Sequence, residues 1–164
     1  MPGSENRLKK SIHLFAGDQV SLYLPCRELC HRVNGHFTVV TKPIFPGYLF
    51  LYKELESLLI KSRHSPLESR LHPIRNNNSF AMVEKNEMAI LLELAGVKGV
   101  VKTSQATVAE DNTVVIIAGP LKDFTGRILY INRRKRKARI MVEMLNRQVP
   151  VTLGLDILQP DRRS

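Results

Sequence analysis

The stretch TVVIIAGPLKDFTGRILYINRRKRKARIMVEMLNRQVPVTLG, Thr113–Gly154, sets the architecture of the C-terminal third. Its apolar runs are short and rich in β-branched residues, and Gly, Pro, Asn and charge clusters separate them. In RIMVEM, Ile140, Val142 and Met144 alternate with other residues, the period-2 pattern of a half-buried strand. Five short strands in about fifty residues predict a small closed barrel, because closure protects the sheet edges. Upstream, KTSQATVAEDN is small, polar and without helical periodicity, and reads as a linker.

The first hundred residues have a mixed texture. SENRLKKSIHLF places Leu8, Ile12 and Phe15 at helical spacing behind Ser4 as N-cap. VSLYLP reads as a strand ended by Pro25. KELESLLIKSR sets Leu55, Leu58 and Leu59 on one helical face, and HPIRNNNSFAMV reads as extended, with a turn at Asn76–Asn78. EKNEMAILLELAG places Met88, Leu91, Leu92 and Ala95 in register, with Gly96 as the stop. Between these lies KPIFPGYLFLY, Lys42–Tyr52, in which Pro46 and Gly47 interrupt two extended stretches just where a strand begins. The expected class is α+β: an α/β domain over residues 1–102, a linker over 103–110 and a five-stranded β-barrel over 111–160.

The net charge is +10, and residues 111–164 carry eleven Lys/Arg against five Asp/Glu. A polyanionic partner for that end is the natural inference. Arg133, Arg134, Lys135, Arg136, Lys137 and Arg139 crowd one hairpin turn and are the candidate nucleic-acid contacts, to RNA or DNA. A solvated turn that only aids solubility is the competing reading. Aromatics near the turn are sparse, Tyr130 aside, which favours backbone or shape recognition over base stacking.

No apolar run approaches the ~20 residues that span a bilayer, and MPGSENRLKK lacks the apolar h-region of a secretory signal, so none is expected. Two cysteines are too few for a disulfide scaffold, so a cytoplasmic, reduced protein is expected, as a monomer and without a membrane. Cys26, Cys30, His31 and His36 have metal-binding side chains, but their spacing matches no common zinc module and they are read as a loop before a strand. No catalytic constellation, metal or cofactor is expected, and an enzyme is not the reading.

FPGYLFLY, followed by GPLKDFTGRI and NRRKRKARIMVEMLNRQVPVTL, resembles the NusG family of bacterial transcription elongation and antitermination factors. The polybasic turn and GPLK are more similar to its specialised paralogs of the LoaP type. The resemblance implies a ferredoxin-like N-terminal domain joined to a KOW domain, an SH3-like barrel. It implies that Phe45, Pro46, Gly47 and Tyr48 form an apolar docking surface for the clamp region of RNA polymerase, with both rings facing outward. Gly119, Pro120, Leu121, Asp123, Phe124 and Gly126 correspond to the KOW turn. Leu145 and Arg147 correspond to the loop that in some members takes a ribosomal protein or a termination factor, although the aromatic of that loop is absent here. The family's N-terminal domain opens with a strand that has no counterpart after Met1, and the expectation is that such a strand lies upstream. The function implied is suppression of pausing and termination. A KOW-containing, ribosome-associated RNA-binding protein is the alternative.

Overall fold

The computed structural model describes residues 4–17, 20–52 and 55–158. In chain order the elements begin with α1 (Glu5–Ala16), β1 (Ser21–Tyr23), β2 (Cys26–Val33), β3 (His36–Pro43) and β4 (Phe50–Tyr52). Next come α2 (Leu55–Ser62), β5 (Arg75–Asn76), β6 (Ser79–Phe80), α3 (Lys85–Ala95) and β7 (Val100–Val101). The last are β8 (Ser104–Val108), β9 (Val114–Ala118), β10 (Ile128–Asn132), β11 (Lys137–Met144) and β12 (Arg147–Ile157). They form two compact units, one from residues up to Leu24 and Phe45–Met82, the other from Pro25–Ile44 and Val83 onward.

In the first unit, β1 and β4 pair antiparallel, with Leu22 opposite Leu51. Ile12, Ala16, Val20, Leu58 and Leu67 make its core, flanked by Leu8, Leu22, Leu49, Leu51 and Leu71. The buried stripe of α1 therefore runs through Leu8, Ile12 and Ala16 at i, i+4 and i+8, and Phe15, expected in it, is exposed. The N–H of Gly17 closes α1 on the carbonyl of His13, with φ at 59°.

The second unit carries a curled five-stranded sheet, ordered β10-β11-β12-β8-β9, as the mixed α+β class and barrel reading require. Ala138, Ile140, Val142 and Met144 of β11 are buried while Arg139 and Glu143 are exposed, which is the period-2 pattern of the sequence. Strand β12 makes the curl: Arg147–Gly154 pairs antiparallel with β11, and Leu155–Ile157 turns to pair in parallel with β8.

Two stretches differ from their sequence reading. Residues 103–110, expected as a linker, contain β8, with Ser104 and Ala106 buried and Gln105 exposed between them. Their small side chains, which resembled linker composition, serve close packing instead. Cys26–Val33, read as a loop, is a strand paired over its full length with His36–Pro43. The turn is Asn34-Gly35 with φ of 51° and 86°, the two-residue type I′ connection that Asn-Gly favours. In α3 the buried face is Glu87, Leu91, Leu94 and Ala95, so Leu92 lies outside the stripe expected for it.

Candidate functional site

The Phe45–Tyr48 segment is a pinned turn. The N–H of Tyr48 donates to the carbonyl of Phe45 at 3.2 Å, and Gly47 sits at φ 88°. Pro at i+1 and a positive-φ Gly at i+2 are the residues a type II turn requires. Glu5, 4% exposed on α1, anchors the turn by accepting the Gly47 N–H at 2.6 Å. An acidic residue in a first helical turn ordinarily reads as a partner of the helix dipole, so the sequence did not single it out. The two rings part company. Tyr48 is 53% exposed, whereas Phe45 is 8% exposed and packs edge-on against Phe50 at 5.8 Å. The expectation that both rings face outward is corrected at Phe45: the turn reverses the chain and leaves its first residue on the core side.

Gly119–Gly126, expected as the KOW turn, lie in the connection between β9 and β10. Gly119 has φ 95°, and a Cβ there would lie 2.8 Å from the Cα of Ser104. Ser104 is buried, and its Oγ accepts the N–H of Leu121 at 2.9 Å. Leu121 and Phe124 are buried, and the Arg127 guanidinium covers the Phe124 ring at 5.5 Å. Pro120 is half-buried, while Asp123 and Gly126 are exposed. Gly119 is thus required by conformation and by contact together.

The basic residues divide by placement. Arg133, Arg134 and Lys135 form the exposed turn after β10, and Arg139 is exposed on β11. The backbone is set by the Lys135 N–H donating to Asn132 Oδ1 at 2.8 Å and the Arg136 N–H donating to the Arg133 carbonyl at 3.1 Å. Arg136, at φ 50°, turns the other way. Its Nη1 is 3.3 Å from Asp156 Oδ1, and its guanidinium lies 4.2 Å from the ring centre of Phe37. Lys137 is half-buried. Of the six expected phosphate contacts, Arg136 therefore holds the fold together, and four present their charge to solvent.

Leu145 and Asn146 form the tight turn between β11 and β12, both at positive φ. Leu145 is half-buried and Arg147 exposed. Glu87 of α3, only 1% exposed, supports this turn: Oε1 accepts the Asn146 N–H at 3.0 Å and Oε2 accepts the Glu84 N–H at 3.0 Å. Burial pushes its carboxyl up, but N–H donors from Asn146, Glu84 and Leu145 more than offset that and hold it below the ordinary 4.5. With a lowered native value, the stabilisation is complete above the ordinary range and lost as pH falls through the native one. Glu87→Gln is expected to cost about 1–2 kcal/mol at neutral pH, since Gln keeps one acceptor and turns a donor toward these N–H groups. Urea melts across pH check this, and the gap between wild type and variant should close on acidification.

Cys26 and Cys30 are buried, whereas His31 and His36 are exposed. The Cys30 thiol donates to the carbonyl of Leu155 at 3.3 Å, and burial pushes its pKa up, against the pull of Arg136. No cluster of three or more His, Cys, Asp or Glu able to hold a metal occurs among the described residues. Nor is any helix among them long and apolar enough to cross a membrane.

Comparison with known proteins covers both units. The family described as transcription termination factor nusG matches residues 1–117, and the KOW motif matches residues 110–143. The transcription termination/antitermination protein NusG of Thermus thermophilus is 30% identical over 155 residues, 89% of this chain and 84% of the relative. The NusG proteins of two Helicobacter pylori strains are each 23% identical over 159 residues, 92% of this chain and 89% of the relative.

Proposed function

Since the chain belongs to the NusG family of transcription termination and antitermination proteins, we propose that it binds RNA polymerase in the cytoplasm through the Phe45–Tyr48 turn. Bound there, it favours the clamp conformation that continues elongation over the one that pauses, a population shift needing no covalent chemistry. The basic turn after β10 meets nucleic acid in the same complex. Tyr48 is the observation that carries this reading. A large aromatic, half in solvent, sits on a turn pinned at Gly47 by a buried carboxylate, and rigid aromatic anchors dominate binding energies at protein interfaces. Phe45 supports the turn from inside.

Single-round transcription with bacterial RNA polymerase on a template with one pause and one terminator tests the proposal. The full chain is expected to shorten the pause and lower termination, and Tyr48→Ala to abolish most of both effects. The variant should melt as wild type does, because the ring is not core. Unchanged pausing with saturating wild-type protein would overturn the proposal.

A further inference from the structure

The β2–β3 hairpin ends in an exposed basic tip with no role so far assigned. Every residue from His31 to Val39 is exposed, and Arg32, His31 and His36 lie at or beside the Asn34-Gly35 turn. The only carboxylate between Cys26 and Pro43 is Glu28. It is neutralised by Lys102 Nζ at 2.6 Å and also accepts the Thr103 N–H at 3.3 Å. Phe37 joins this tip to the β10–β11 turn: the guanidinium carbons of Arg136 and Arg32 lie 4.2 and 6.0 Å from its ring centre. Beyond the turn, Arg133 Nη1 reaches Asn112 Oδ1 at 3.4 Å. Two basic projections, drawn from segments about a hundred residues apart in the chain, are thus held side by side.

We propose that the hairpin tip, through Arg32, is the second half of a two-sided site for a double-stranded nucleic acid, the exposed turn Arg133–Lys135 being the first. The inference rests on the reading of that turn as a nucleic-acid contact. Projections of like charge set side by side suit phosphates on the two sides of a groove, where each cation releases condensed counterions. Phe37, the aromatic at the centre, is engaged by cations rather than offered to a base. Contact is therefore with the backbone, and single strands, which bind best by stacking, are disfavoured. Asp156 is already paired with Arg136. Glu110 and Asp111, exposed beside Asn112, set the edge that phosphates avoid.

The test is a titration of the full chain, by fluorescence anisotropy at several salt concentrations, against RNA and DNA duplexes of about 20 base pairs and the corresponding single strand. Arg32→Gln retains a donor for the Gly35 carbonyl that Arg32 Nε now reaches at 3.3 Å but removes the charge. It is expected to lower the salt slope by about 1 and the affinity about eightfold at 0.1 M salt, the factor supplied by releasing ~0.9 counterion. Arg32→Lys, which keeps the charge, should bind as wild type, and both variants should melt as wild type. Tighter binding of either duplex than of the single strand supports the proposal and identifies the preferred form. If Arg32→Gln binds as wild type while alanines at Arg133, Arg134 and Lys135 weaken binding, the hairpin is no part of the site and the turn reading stands. If neither weakens binding, both fall. A single strand bound as tightly as the duplexes overturns the double-stranded assignment.

Discussion

Gly154→Ala is expected to destabilise the second unit by about 2–3 kcal/mol, the upper part of the range for overpacking a filled interior. A Cβ at this position would stand 2.5 Å from the carbonyl oxygen of Glu28, 2.9 Å from Thr103 Cγ2 and 3.2 Å from Leu29 Cα. Two of those three atoms belong to the backbone of β2, which cannot rotate aside as a side chain would. Gly154 also pairs with Lys137, so retreat in the other direction disturbs the ladder to β11. Gly126→Ala is the control, because nothing lies within 4 Å of a Cβ there, and it should change stability by no more than about 0.5 kcal/mol. Equal urea midpoints for the two variants would mean that β2 does not approach β12 in solution.

Replacing Arg133, Arg134 and Lys135 together by alanine is expected to lower the log affinity–log salt slope for duplex nucleic acid by about 3, and the affinity at 0.1 M salt about 500-fold. All three side chains are exposed, so the fold should not suffer. Arg136→Ala should behave in the opposite way, with a lower melting temperature and little change in salt slope. Its charge is spent on Asp156 and its plane on Phe37. The contrast separates a binding turn from a merely solvated one, for which the triple variant would bind as wild type does.

Much of this was legible in the sequence where the cause is local. Alternation in RIMVEM located β11, because burial on one face of a pleat imposes period 2. The Pro46-Gly47 pair located its turn, because only certain residues suit those backbone angles. Other features depend on partners far along the chain. Six basic residues within seven positions cannot reveal that Arg136 turns back onto the fold, since Phe37 and Asp156 decide it. The inward face of Phe45 follows from Phe50 and the core beside it. Ser104 and Ala106 read as linker because small residues suit both mobile chain and crowded packing. The close approach of Gly119 to Ser104 distinguishes the two. Glu5 and Glu87, each anchoring a turn from a helix, left no sequence signal beyond an ordinary acidic residue. The β2–β3 hairpin was within reach, because Asn34-Gly35 is the strongest short-range hairpin signal.

The most direct measurement is a binding titration of the full chain against bacterial core RNA polymerase without nucleic acid, comparing wild type, Tyr48→Ala and the Arg133, Arg134, Lys135 triple variant. Saturable binding by wild type and the triple variant is expected, with Tyr48→Ala weaker by about 2 kcal/mol, roughly 30-fold, as for a central aromatic anchor. Absence of wild-type binding, or Tyr48→Ala binding as tightly as wild type, would contradict polymerase docking through the Phe45–Tyr48 turn.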